Sequence, residues 1–278
     1  MRASAPASSG NLGPGFDVLG LALDLLCVVD AVPADQMTVD DGDGPFTLAA
    51  GDMLFDTVMA AAGQAMALTV DNAIPRARGL GSSSAVTTAA AAAAQRALGT
   101  EPVRAEIYEI VTAIEGHGDN AAPAVWGGLM AVGSTGPHPL EMDDRLIPIV
   151  GIPDTRLSTK RAREAVPLDV PLPAAARNVS RAVLLVEALR TGDPDAFAAA
   201  AGDEFHERAR GPLSPITTTM IEVARQAGAL HAAWSGAGPT TLALATEETR
   251  GSVVDALDHV LGDAGTVRVL AVDYEGLR

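Results

Sequence analysis

The chain has 278 residues, of which 48% are hydrophobic and 19% charged, and its formal net charge is −16. This composition is typical of a folded protein with one large domain or two of ordinary size. The negative charge repels phosphate backbones and no basic patch offsets it, so we expect no nucleic-acid partner. No apolar run has the length of a membrane span, the N-terminus lacks a signal-peptide core, and Cys27 is the single cysteine. These features predict a cytoplasmic protein without a disulfide or a membrane partner.

Helix and strand signals occur together along the chain and predict an α/β or α+β protein. Residues 84–98 are predicted to form one helix, because the stretch is rich in alanine and Gly99 suits its C-terminal end. Residues 103–116 are predicted to form a second helix, in which branched apolar side chains recur at the spacing of one buried face. That face comprises Ile107, Ile110, Val111 and Ile114.

Three later stretches have the composition of strands: residues 146–150, 243–246 and 267–272. Pro148 places the first of them at the edge of a sheet, since proline lacks a backbone donor. Clusters of glycine, proline and aspartate predict turns at residues 40–45, 133–139 and 151–155. The best candidate for a domain boundary falls at residues 137–144.

The strongest local motif is PRARGLGSSSA, which spans residues 75–85 directly before the alanine-rich helix. Glycines let the backbone approach a ligand closely, and the start of a helix presents free N–H groups and a positive dipole end. Together they form an anion site suited to a nucleotide triphosphate, with serine hydroxyls to bind phosphate or Mg²⁺. An ordinary Gly-Ser loop with a serine cap is the alternative explanation.

Three other motifs are weak when each is taken alone. PASSGNLGPGFD at residues 6–17 is also compatible with an ordinary turn. EGHGDN lies at residues 115–120 and is followed by Gly127 and Gly128. Its His, Asp and Asn suit proton transfer or metal binding, but helix capping followed by a turn also explains them. SGAGPT at residues 235–240 has the composition of a turn between strands.

In content and order, these four motifs resemble those of the GHMP kinases, a family named for galactokinase, homoserine kinase, mevalonate kinase and phosphomevalonate kinase. The match is best with the homoserine kinase branch, and it runs from Pro6 to about Thr241. The resemblance implies a two-domain α+β fold. Residues 1–142 would form an ATP-binding domain like ribosomal protein S5, and residues 143–278 a ferredoxin-like domain.

The resemblance also implies an activity. ATP and Mg²⁺ would serve to phosphorylate the side-chain hydroxyl of L-homoserine, giving O-phospho-L-homoserine on the route to threonine. The active site would lie between the two domains. A homodimer is likewise what the family implies.

For the nucleotide, the resemblance assigns the ATP phosphates to Pro75, Arg78, Gly79, Leu80, Gly81, Ser82, Ser83, Ser84 and Ala85. Asp56 falls where the family has an adenine-side asparagine, so this position lacks the amide donor. Mg²⁺ prefers hard oxygen ligands, and the resemblance assigns it to Ser83 and Glu109. A solvated charge on a helix face is the alternative explanation for Glu109.

For the substrate, Arg163 and Arg210 align with the two arginines that bind the carboxylate, a group that guanidinium grips with two parallel hydrogen bonds. Asp17 suits the ammonium group. The remaining predicted substrate residues are Asn11, His117, Asn120 and Thr159, and the predicted catalytic residues are Asp119, Asn120 and Arg163.

Asp119 has two interpretations, a catalytic base or a positioning group, because phosphoryl transfer depends mainly on positioning and charge neutralisation. Gly10 and Gly118 stand where the family has alanine and proline, and both are expected to loosen the backbone. Two other functions stay open. One is phosphorylation of another small hydroxyl compound, such as L-threonine or an isoprenoid precursor; the other is non-catalytic nucleotide binding.

Overall fold

The computed structural model describes all residues from 1 to 278, which form two β-sheets and ten α-helices. The first sheet contains β1 (Arg2–Gly10), β2 (Leu19–Pro33), β3 (Thr38–Asp40), β4 (Phe46–Thr47), β5 (Met66–Asn72), β6 (Leu129–Gly133) and β7 (Gly136–Leu140). The strand order is β4-β3-β5-β2-β6-β7, and β1 pairs along β2. All of its pairs are antiparallel except β3 with β5.

Four helices accompany this sheet: α1 (Met53–Ala62), α2 (Ser82–Ala97), α3 (Arg104–Glu115) and α4 (Ala121–Trp126). The two predicted helices are thus confirmed as α2 and α3. The side chains of residues 89–94 in α2 are all fully buried, because α2 packs on β1 and β2 and also on α1, α3 and α4. Alanine allows this close approach because its side chain is a single methyl group.

The second sheet contains β8 (Ile147–Pro153), β9 (His231–Trp234), β10 (Thr241–Ala245) and β11 (Gly265–Val269). Its order is β11-β8-β10-β9, antiparallel throughout. The accompanying helices are α5 (Thr159–Glu164), α6 (Leu172–Thr191), α7 (Pro194–Ala200), α8 (Glu207–Arg210), α9 (Pro215–Gln226) and α10 (Arg250–Leu261). Two short 3₁₀ turns, Gly211–Leu213 and Gly262–Ala264, complete this half. With α9 and α10 as the two crossover helices, the strand order is that of a ferredoxin-like domain, as expected.

Two local expectations were wrong in this region. Pro148 lies in β8, which is an inner strand of the second sheet. A proline is tolerated there because it lies beside the end of β11, where no ladder hydrogen bond needs its N–H. The Pro148 carbonyl still accepts from Leu270, the residue after β11. The turns predicted at residues 133–139 and 151–155 are shorter than expected. Residues 136–139 belong to β7, and residues 151–153 belong to β8. The prolines of β7 are tolerated because β7 is an edge strand.

The larger hydrophobic core runs through both halves of the chain. Along β10, Leu242 and Leu244 join this core, whereas Ala243 and Ala245 face a smaller core under α9 and α10. The C-terminal residues return to the first sheet, where the backbones of Ser4 and Arg278 bond to each other. A boundary between residues 142 and 143 stays a prediction. None of the helices is long and apolar enough to cross a bilayer.

Candidate active site

A cleft of about 450 Å³ opens where the four motif loops meet α5 and α8. Chain segments far apart in the sequence therefore contribute to one site. Its lining comprises Asn11, Asp17, Met53, Pro75, Ala77, Arg78, Gly79, Leu80, Gly81, Ser82, Ser83, Ser84, Glu115, His117, Asp119, Asn120, Ser158, Thr159, Arg163, Arg210, Gly236 and Ala237.

The glycine loop before α2 has a conformation that only glycine meets easily. Gly79 and Gly81 both have positive φ, at 78° and 64°. A methyl group at Gly79 would collide with the carbonyl of Ser235, and one at Gly81 with the hydroxyl of Ser8. No side chain caps the start of α2. The first N–H groups of this 16-residue helix are therefore available to an anion in the cleft.

Glu115 is the carboxylate that faces the start of α2. The Ser84 hydroxyl donates to Glu115 Oε2 at 2.5 Å, and Ser83, which donates to the sulfur of Met53, lines the same wall. Glu115 Oε1 is buried and has no hydrogen-bond partner. Burial raises the pKa of Glu115, and the hydrogen bond from Ser84 opposes that rise. This group of hard oxygen donors fits a Mg²⁺ ion.

Glu109 does not lie at the cleft. It is exposed on α3, and no atom of it lines the cavity. Six residues separate it from Glu115, so the two side chains point about 120° apart around the helix. The position of Glu109 does not support its assignment to the metal, which stays a prediction, and Glu115 is the glutamate of α3 that lines the cleft.

Asp119 is buried in a small polar network. His117 Nδ1 lies 2.9 Å from Asp119 Oδ1, and Asn120 Nδ2 donates to Oδ2 at 3.4 Å. Ser8 in turn donates to Asn120 Oδ1 at 3.0 Å. The hydrogen bond to Asp119 raises the pKa of His117. The carboxylate is therefore held by its neighbours at the floor of the cleft.

The two unusual glycines beside Asp119 serve close packing. A methyl group at Gly10 would collide with the Asp119 carboxylate, and one at Gly118 with the Tyr108 hydroxyl. Neither glycine has positive φ. Both glycines therefore allow close packing beside Asp119, and the expected loosening of the backbone stays a prediction.

Opposite charges lie side by side on the far wall. Arg163 donates to both carboxylate oxygens of Asp17, at 2.8 and 3.0 Å. Asp17 has φ of 55°, a costly conformation for a residue with a side chain, and Asn11 Oδ1 accepts from its N–H. Arg210 is buried next to this pair, where burial lowers its pKa to about 10.

Three predicted nucleotide residues have other surroundings than expected. Ala85 is fully buried in the hydrophobic core, and Asp56 accepts a hydrogen bond from the backbone of Gly51; neither lines the cleft. Arg78 lines it, but donates to the carbonyls of Arg76, Pro153 and Asp154. Arg78 therefore ties the glycine loop to the end of β8.

Three residues that line the cleft were not among the predicted site residues: Glu115, although it begins the EGHGDN motif, Ser158 and Met53. Glu115 was one of three glutamates on the same helix, and only burial separates it from the others. Met53 begins α1, far from any motif, so no local signal marks it.

Comparisons with known proteins identify the family of this chain. The models of the GHMP kinase N-terminal and C-terminal domains match residues 49–128 and 185–262. A homoserine kinase of Thermus thermophilus is 38% identical over 98% of this chain and 96% of its own length. One from Streptomyces coelicolor is 37% identical over 99% and 93%. The crystal structure of homoserine kinase from Cytophaga hutchinsonii has a TM-score of 0.87 at 25% identity, covering 100% of this chain and 96% of that one. The chain therefore belongs to the GHMP kinase family, on the branch that holds the homoserine kinases.

Proposed function

We propose that this protein transfers the γ-phosphoryl group of ATP to the side-chain hydroxyl of L-homoserine. The observation that carries the proposal is the pairing of two recognition surfaces in one cleft. One is the uncapped start of α2, which suits phosphates. The other is the Asp17–Arg163 pair beside Arg210, which suits an α-amino acid.

An α-amino acid carries its ammonium and carboxylate groups on the same carbon atom. A site for it therefore needs an anion and a cation side by side. Asp17 and Arg163 meet this need, with Arg210 as a second cation for the carboxylate. An isoprenoid alcohol has no ammonium group, so the same pair disfavours it as the substrate.

On the nucleotide side, Ser83, Ser84 and Glu115 would hold Mg²⁺, with the remaining ligands from phosphate and water. The ion would neutralise charge that develops on the phosphoryl group. The start of α2 orients the phosphates, and Asp119 and Asn120 orient the attacking hydroxyl. Positioning and charge neutralisation account for most of the expected rate gain.

The experiment is an ADP-release assay with Mg·ATP and a panel of L-homoserine, L-threonine, 3-aminopropan-1-ol and mevalonate. We expect turnover with L-homoserine and much less with the other three. The Glu115→Gln variant, purified in the same way, controls for contaminating kinases. Turnover with none of the compounds would favour a non-catalytic nucleotide-binding role, and preference for L-threonine would replace the proposed substrate.

The family resemblance also supports a location, an oligomeric state and a pathway for the protein. We propose that it is a cytoplasmic homodimer that acts in threonine biosynthesis. Sedimentation velocity of the purified protein tests the dimer directly. A single species at the monomer mass of 28.3 kDa would contradict it.

A further inference from the structure

His206 is a fully buried histidine that lies just behind the substrate wall of the cleft. Its ring nitrogens contact two different parts of the site. Nδ1 lies 3.1 Å from Arg210 Nη1, and Nε2 lies 3.0 Å from the Gly13 carbonyl oxygen. The imidazole therefore joins the loop that carries Asp17 to the arginine on α8.

The hydrogen-bond partners determine where the ring carries its proton. A guanidinium group only donates, so Nδ1 must accept and bears no hydrogen. A carbonyl only accepts, so Nε2 carries the hydrogen and donates to Gly13. Burial lowers the pKa of His206 to about 4, in agreement with a neutral ring.

The Arg210 guanidinium has its orientation set by three fixed acceptors. Nε donates to the carbonyl of Ala162 at 3.1 Å, and Nη1 donates to Gly236 at 3.0 Å and to His206. Nη2 donates to no protein group, and Arg210 lines the cleft. Phe16 stacks on the His206 ring at 5.2 Å and lies 5.5 Å from the Arg210 guanidinium carbon.

We propose that His206 is a positioning residue that holds the Arg210 guanidinium with Nη2 directed at the substrate carboxylate. The inference rests on the proposed function, because it needs a carboxylate in the cleft. Without the acceptor at Nδ1, one buried N–H of Arg210 loses its partner, and only the carbonyls of Ala162 and Gly236 still hold the guanidinium. Recognition of the carboxylate should weaken, while the ammonium side and the nucleotide side should change little.

The test uses His206→Phe, which keeps the ring and its stacking on Phe16 but removes both nitrogens. The measurements are KM for L-homoserine, KM for ATP, kcat, and the competitive inhibition constant of 3-aminopropan-1-ol, which lacks the carboxylate. We expect KM for L-homoserine to rise about tenfold, the loss typical of one buried charge-assisted hydrogen bond. The other three constants should stay within about twofold. His206→Gln, which offers both an acceptor and a donor, should restore most of the affinity.

His231→Phe is the matched control, since His231 is also buried, lies beside Gly13 in the same loop, and makes no hydrogen bond to Arg210. It should leave the ratio of KM to the inhibition constant unchanged. The double variant His206→Phe/Arg210→Gln should be no worse than Arg210→Gln alone. If His206→Phe does not fold, by circular dichroism, His206→Leu and His206→Gln provide the same comparison.

The proposal would be overturned if His206→Phe raised KM for L-homoserine and the inhibition constant of 3-aminopropan-1-ol by the same factor. It would also be overturned if the double variant lost affinity for L-homoserine by the product of the two single losses. Either result would mean that His206 only stabilises the fold. Absence of wild-type turnover on L-homoserine is a different outcome, since it contradicts the proposed function itself.

Discussion

At the scale of single residues, Glu115 at the end of α3 has a buried carboxylate oxygen without a partner, and this carboxylate faces the start of α2. Its Oε2 accepts from Ser84, whereas Oε1 has no partner in the protein. A buried carboxylate oxygen without a partner is costly unless a ligand satisfies it. Glu115 is therefore the residue from which a bound cation would gain most.

Glu115→Gln should lower kcat by about 10²- to 10³-fold, the usual loss on removing one group that stabilises developing charge. It should also raise the Mg²⁺ concentration that gives half-maximal rate. The exposed Glu109 of the same helix is the matched control, and Glu109→Gln should stay within about twofold of wild type. Steady-state rates over a Mg²⁺ titration give both quantities. The reverse ranking of the two variants would restore Glu109 as the metal ligand.

Asp119→Asn should slow turnover less than Glu115→Gln does. Asp119 is held by His117 and Asn120, and a side chain so constrained serves mainly to position its neighbours. A true general base contributes about 10²- to 10⁴-fold. A pH–rate profile of both forms measures the difference. Loss of the acidic limb together with a decrease near 10⁴-fold would establish Asp119 as the base.

At the scale of elements, two short helices carry the substrate arginines, and both depend on capping. Ser158 accepts from the backbone of Arg161 at the start of α5. Before α8, Asp203 accepts from three successive backbone N–H groups, those of Phe205, His206 and Glu207. Helices this short are unstable alone, so their caps and tertiary contacts determine where the arginines lie.

Arg163→Ala and Arg210→Ala should each lower kcat/KM for L-homoserine by about ten- to a hundredfold, with little change in KM for ATP. The estimate is the loss of one charge-assisted hydrogen bond, about 1.5–3 kcal/mol. Lysine should rescue poorly, since a point charge does not reproduce the planar fork. The exposed Arg161 and Arg208 on the same helices are controls, and their alanine variants should match wild type. Undiminished preference for L-homoserine over 3-aminopropan-1-ol in Arg163→Ala and Arg210→Ala would place carboxylate recognition elsewhere.

At the scale of the whole molecule, buried ionisable groups link stability to pH. Burial lowers the pKa of His206 and of His231 to about 4 and raises the pKa of Glu207 to about 7. Between pH 6.5 and 4 the unfolded chain takes up protons on the two histidines that the folded chain does not. Each histidine therefore removes up to about 3 kcal/mol of stability on acidification. Glu207 acts in the opposite direction, since the folded state binds its proton first as the pH falls from 7 to 4.5.

We therefore expect the free energy of unfolding to fall below pH 6.5. His231→Phe should make that fall shallower, and Glu207→Gln should make it steeper, because it removes the opposing group. Urea unfolding at pH 7, 6, 5 and 4.5 measures the slopes. Parallel curves for wild type and both variants would show that neither group titrates differently on folding.

The amino-acid sequence by itself determined the family, the two helices α2 and α3, and the loops that meet in the cleft. These features have local causes: alanine content, apolar spacing, and glycines where the backbone must approach a ligand. The predicted substrate and catalytic residues that line the cleft lie in those loops and in two short helices. They are Asn11, Asp17, His117, Asp119, Asn120, Arg163 and Arg210.

Only the tertiary structure decided which residues of each element face that cleft. Glu115 lines the cleft and Glu109 does not, because their side chains point in different directions around α3. In α2, Ser84 lines the cleft, whereas the next residue, Ala85, packs in the hydrophobic core. His206 carries no local signal at all, because its role arises from Gly13 and Arg210, which lie far apart in the chain. Burial and orientation of this kind exist only after distant segments pack together, so spacing along the chain does not determine them.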